Sequence, residues 1–192
     1  MFKFSKSILV ALLVAASGVS SFAQTTQSTS PVNYDSYGWN NDLLSSITFA
    51  SGTNAITSIV GSTSIADQGW GGEYEPGNQL YLTLVVDGYS LWGDHFAGGT
   101  HEWRSVSYDV SNDPSQFAAL NVAVGGIDWS TAQDVELQLR SSTIGYPGWA
   151  LHAQDAQFSA TSIVAVPEPE TYALMVAGLG VLGFVARRRK SA

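Results

Sequence analysis

The chain has 192 residues, 45% of them hydrophobic and 12% charged. That length holds one domain of ordinary size beside targeting segments, and the apolar content excludes a disordered acidic tail. There is no cysteine, which excludes a disulfide scaffold, a thiolate metal centre, a catalytic thiol and a lipid-modified N-terminal cysteine. The net charge of −8 is unevenly spread: between residues 24 and 166 only Arg104 and Arg140 are cationic, against fourteen carboxylates, a balance near −12. Such a surface repels phosphate, so nucleic acid is excluded as a partner.

Residues 1–23 read MFKFSKSILVALLVAASGVSSFA, with Lys3 and Lys6 before an apolar run and small residues after it. This order predicts a secretory signal peptide, and Ser21 and Ala23 stand where signal peptidase expects small side chains, so cleavage is expected after Ala23. Residues 24–33, QTTQSTSPVN, are polar and low in complexity, which predicts a flexible leader.

From Tyr34 to Val164 the dominant signal is alternation of period two. Leu80, Leu82, Leu84 and Val86 share one face of a strand, and Val135, Leu137 and Leu139 share one face of another, with Glu136, Gln138 and Arg140 opposite. Shorter runs lie at 47–50, 55–60, 102–110, 119–124 and 156–164, separated by turn compositions such as WGGEYEPGN, SNDPS and IGYPG. No stretch of eleven or more residues shows an amphipathic helical period. Seven or eight strands at this spacing predict an all-β antiparallel sandwich over residues 34–165.

The late part of the domain, ending in AQDAQF at 153–158, resembles the jelly-roll sandwiches of the galactose-binding-like kind. This chain keeps Asp155 and Phe158 but lacks that pattern's paired aspartates.

Six tryptophans fall in this region, and flat aromatic faces stack on sugar rings at small entropic cost. Trp70 and Trp92 sit in glycine-rich surroundings and, with Tyr74, are the candidate ligand platform; Trp129 and Trp149 read as core. Glu73 and Glu75 alternate across Tyr74 as a pair of glycosidase type, but spacing alone raises no pKa. His95 and His101, with Asp94 and Glu102, are zinc-type ligands at a spacing that is not recurrent. Asp109 and Asp113 in an oxygen-rich loop, and Asp155, are the candidate ligands of a structural calcium. There is no GxSxG nucleophile elbow, and no phosphate loop, since the region has no lysine. No catalytic residue is assigned and no enzyme is expected.

At the C-terminus VPEPE holds the chain extended. Tyr172 to Ala186 is apolar, and Arg187, Arg188, Arg189 and Lys190 follow. The apolar stretch reaches only about 24 Å at 1.5 Å per residue, marginal for a membrane core of about 30 Å, but the flanking cations mark it as a single transmembrane helix with its tail on the cytoplasmic side. Pro167, Glu168 and Pro169, a short apolar span and the terminal arginines, within 166–192, resemble the PEP-CTERM sorting signal. The resemblance implies a Gram-negative host and recognition and cutting by exosortase, a membrane-embedded transpeptidase-like enzyme. It also implies an exported protein of the cell envelope or biofilm matrix, associated with extracellular polysaccharide and held transiently in the inner membrane. On this reading the sandwich is a binding or structural element, with a dedicated carbohydrate-binding module second and a polysaccharide-acting enzyme third.

Overall fold

A computed structural model describes residues 21–68, 77–144, 150–166 and 175–182. The alternating segments form strands β1 (Ser21–Ser28), β2 (Val32–Tyr37), β3 (Leu43–Thr48), β4 (Thr53–Gln68), β5 (Gln79–Val86), β6 (Tyr89–Gly98), β7 (Arg104–Asp109), β8 (Val135–Ser142) and β9 (Ala150–Val166), with helix α1 (Pro114–Gly125) between β7 and β8. One sheet, here sheet A, has the order β1-β9-β4-β7, with β2 also paired to β9; sheet B has the order β3-β8-β5-β6. The pairs β2–β9, β9–β4, β4–β7, β3–β8, β8–β5 and β5–β6 are all antiparallel. Read along β2 to β9, the orders 2-9-4-7 and 3-8-5-6 are those of a jelly roll, so the sandwich expected from the alternation is present.

One hydrophobic core lies between the sheets. Leu80, Leu82, Leu84, Leu137 and Leu139 of sheet B meet Ile56, Ile59, Ile65, Leu151 and Phe158 of sheet A. These are the inward positions of each alternation, and their burial supplies the main favourable term. Gly61 of β4 is a close-approach residue: a Cβ there would lie 2.6 Å from the Phe96 ring and 2.7 Å from the Gln157 carbonyl oxygen. The β5–β6 connection is Asp87–Gly88, both at positive φ, as a tight primed hairpin turn requires.

Two tyrosines close the open sides of the sandwich. The Tyr108 hydroxyl of β7 donates to Asp94 of β6 at 2.7 Å, beneath stacked Phe96 and Tyr108 rings 5.2 Å apart. On the other side Tyr34 of β2 donates to Asp42 beside β3 at 2.8 Å and accepts from Ser141 of β8. Burial, and then Asp94, push the Tyr108 hydroxyl far above its ordinary pKa, and burial raises that of Tyr34, so both remain protonated donors.

Three expectations are corrected. Residues 119–124 are helical, not a strand, and a twelve-residue helix exists where no helical period was evident. Asp113 caps it by accepting from the backbone N–H groups of Ser115 and Gln116, Pro114 occupies its first turn, and Leu120 and Val124 are buried one turn apart. Residues 24–33 are not a free leader, since β1 and β2 occupy most of them. Thr29 bonds both backbone groups of Phe158, and Thr26 meets Thr161 across β1 and β9; β-branched threonines suit a pleated surface. Ala23 itself lies within β1.

The chain divides into two units, Gln24–Val164 and a second formed by the residues before and after it. In the second unit residues 175–182 are helical, with Met175, Val176, Leu179, Val181 and Leu182 exposed. Among the described residues no helix is long and apolar enough to cross a membrane. Residues 1–20, Pro167, Glu168, Pro169, Arg187, Arg188 and Arg189 lie outside the described residues.

Beyond the end of its pairing with β7, β4 is held by a side chain. Asn121 of α1 accepts from the Ile56 N–H at 3.0 Å and donates to the Ile56 carbonyl at 3.1 Å, standing in for a neighbouring strand. Ile56 is fully buried, so Asn121→Ala leaves two backbone groups without partners. A destabilisation of about 3 kcal/mol is expected from urea unfolding, well above that of an exposed control such as Val122→Ala.

The capping carboxylates set an acid limit. Hydrogen bonds from the side chains and backbones of Ser111, Ser115 and Ser130 hold Asp109, Asp113 and Asp128 below the usual carboxylate pKa. A folded-state pKa below the unfolded one gives stability that is complete above the ordinary value and lost as pH falls through the depressed one. The urea midpoint is therefore expected to be level near neutrality and to drop below about pH 4. Asp113→Asn, which keeps a capping oxygen, is expected to flatten part of that drop.

Candidate functional site

The proposed aromatic platform does not assemble as the sequence suggested. Trp92 is buried in the core, and its indole N–H donates to the Gln116 carbonyl of α1 at 3.2 Å. The helix supplies the apolar cover that the glycine-rich neighbourhood of Trp92 lacked. Trp70, Tyr74, Glu73, Glu75 and Trp149 lie outside the described residues. Trp129 packs partly buried against the core, as expected. Among the described residues the exposed tryptophans are Trp39 and Trp103, at 73% and 49%.

The candidate calcium ligands are not brought together as one set. Asp109 caps a 3-10 turn over Val110–Asn112, and Asp113 caps α1. Asp155 sits at a bulge of β9 with φ 52°, its N–H held by the Asn33 side chain at 3.0 Å. Aspartate is among the few residues that tolerate this backbone region, so its place in AQDAQF has a conformational account. Asp94, offered beside His95 for zinc, accepts from Tyr108 and from the His95 N–H. Among the described residues no group of three or more histidines and carboxylates could hold a metal ion.

The outer face of sheet B carries a different constellation. In β5, Tyr81 and Thr83 alternate with the core leucines; in β8, Glu136, Gln138 and Arg140 do the same. Apart from Thr83, which bonds Ser90 and the Trp92 carbonyl of β6, their side chains form one continuous ladder with the connection before β3. Asn41 Oδ1 accepts from both the Tyr81 hydroxyl and Arg140 Nε at 2.9 Å, and the Asn41 carbonyl accepts from Arg140 Nη2 at 3.0 Å. Arg140 Nη1 donates to Gln138 at 2.9 Å, Gln138 donates to Glu136 at 2.6 Å, and Ser46 of β3 donates to Glu136 at 3.3 Å.

Two shallow grooves run beside this ladder. One, of about 400 Å³, is lined by Asn41, Gln79, Tyr81, Asp94, His95 and Ser142. The other, of about 430 Å³, is lined by Asn41, Tyr81, Thr83, Ser90, Gln138 and Arg140. Among the described residues Arg140 meets only neutral oxygens, which take three of its five N–H groups. The face thus offers unspent donors beside amide, hydroxyl and carboxylate acceptors, chemistry suited to a ligand rich in hydroxyl groups. The sequence signal is the polar half of the β8 alternation, with one of the two cations of the region at its end.

Among solved structures the chain is similar to dimeric latent PorU from Porphyromonas gingivalis, at 12% identity and a TM-score of 0.33, over 77% of this chain and 13% of that one. It is similar to the VP2 subviral particle of infectious bursal disease virus, at 12% identity and 0.35, over 77% and 43%. The Gx strain of that virus gives 14% and 0.31, over 78% and 42%. The chain spans less than half of each of these. No curated protein matches it. One family model does, over residues 165–190, and it is the PEP-CTERM protein-sorting motif. That motif marks the chain as an exported protein targeted to an exosortase.

Proposed function

We propose that this is a non-catalytic component of the cell envelope or extracellular matrix of a Gram-negative bacterium, whose sandwich binds polysaccharide on the outer face of sheet B. The sorting motif supports the destination. The ladder from Asn41 through Tyr81 and Arg140 to Glu136 supports the binding role, and it is the observation that carries the reading. A neutral glycan fits best, because an acidic one would meet a domain near −12. The non-catalytic reading is favoured because the carboxylates beside the grooves are already engaged, Asp94 by Tyr108 and Glu136 by Gln138 and Ser46. Residues 172–186 serve as the transient membrane anchor, and exosortase removes them after export.

Mass spectrometry of the protein from cells with and without the exosortase tests the destination. With the enzyme the chain is expected to end near Pro167; without it the terminal arginines remain. Identical C-termini in both strains defeat the sorting reading. For the ladder, Arg140→Ala is expected to weaken binding on a neutral glycan array roughly tenfold, the equivalent of one charged hydrogen bond of about 1.5 kcal/mol. Calcium is expected to leave that binding unchanged.

A further inference from the structure

Sheet A carries a second constellation on its outer face. Asp35 of β2 lies opposite His152 of β9, and His152 lies opposite Ala66 of β4. Trp103 directly precedes β7, whose Arg104 pairs with Ile65 beside Ala66. The row therefore crosses β2, β9 and β4 and ends at the residue before β7. Tyr37 and Trp103 are exposed at 69% and 49%, and their rings sit 5.9 and 6.2 Å from the imidazole of His152, at interplanar angles of 83° and 39°. His152 Nδ1 and Asp35 Oδ1 are 2.6 Å apart. The other Asp35 oxygen and His152 Nε2 take no hydrogen bond among the described residues.

We propose that Tyr37, His152 and Trp103, with Asp35, form a second saccharide-binding site, specific for the rings of a neutral polysaccharide. The class of ligand rests on the polysaccharide reading of the preceding section; the site itself does not. Two large aromatic side chains left open to water at either side of one imidazole forfeit hydrophobic stabilisation unless something covers them. Neither stacks flat on the imidazole, so each keeps a face for a partner. The partner must be apolar on its faces and hydrogen-bonding at its rim, because the row ends in a carboxylate acceptor coupled to a ring nitrogen. A sugar ring has both properties. An anionic chain is disfavoured by Asp35 and by the surrounding charge. The outer faces of sheets A and B point in opposite directions, so one copy can hold two glycan chains and bridge them.

Affinity electrophoresis of the full chain in non-ionic detergent, through native gels containing hydroxyethylcellulose or alginate, tests the site. Retardation is expected in the neutral polymer only. Tyr37→Ala and Trp103→Ala are each expected to weaken it at least fivefold, with unchanged thermal melting, while Val122→Ala has no effect. Retardation that survives both aromatic substitutions within twofold, yet falls in Arg140→Ala, overturns the second site and leaves the groove on sheet B standing. Loss in Trp103→Ala with none in Arg140→Ala supports this site and removes the groove. No retardation of the parent chain defeats both. A Trp103-dependent fluorescence change with tetramethylammonium but not with cello-oligosaccharides overturns the saccharide site in favour of a cation cage.

Discussion

The pairing of β4 with β9 is the constraint on which the sandwich depends. These are its two longest strands, sixteen and seventeen residues, and they run antiparallel from Thr53 opposite Val164 to Gln68 opposite Ala150. Every other strand of sheet A attaches to one of them: β1 and β2 to β9, β7 to β4. A slip of one residue would turn Leu151, Ala153 and Phe158 outward and bury Gln157 and His152. Irregularities along the ladder fix the register, the one at Asp155 most visibly. Gly61 on β4 leaves the room that Phe96 fills from the opposite sheet.

Much of the acidity of the domain is spent on hydrogen bonds from its own backbone and side chains. Asp87 accepts from the N–H groups of Gln133 and Asp134, and Asp109, Asp113 and Asp128 each hold a turn or helix start. Asp42 and Asp94 receive the tyrosines that close the two sides. Carboxylates used in this way satisfy donors that would otherwise go unpaired, and they need no cation to do it. Fourteen carboxylates can thus coexist with two cations, and among the described residues a single histidine–carboxylate contact, His152 with Asp35, is of salt-bridge type.

How much of this the sequence disclosed varies with the physics of each segment. β5 and β8 were legible because each has one face in the core and one in water, the condition under which alternation is clean. The helix was not. In AALNVAV, Leu120, Val122 and Val124 alternate as a strand would, and no periodicity separates the two readings over so short a run. What decides it is the Asp113–Pro114 start and the tertiary bond between Asn121 and Ile56, the first visible in the sequence and passed over, the second not visible there at all. Trp92 then follows from the helix. β1 and β2 look like a linker because their partner, β9, lies more than a hundred residues away, and local composition carries no trace of that pairing.

That separation also orders the events of folding. Asp35 and His152 are 117 residues apart, and until β9 emerges neither β2 nor β1 has a partner and β4 is bare on one edge. Contacts so distant in sequence are costly to close and form late. The last residues of β9, Ala165 and Val166, are the first two of the sorting motif. The strand that completes the sandwich therefore runs directly into the segment that addresses the protein. A domain whose central strand is also its last cannot close before that strand is available, so the sandwich is completed by the very segment that leads into the motif.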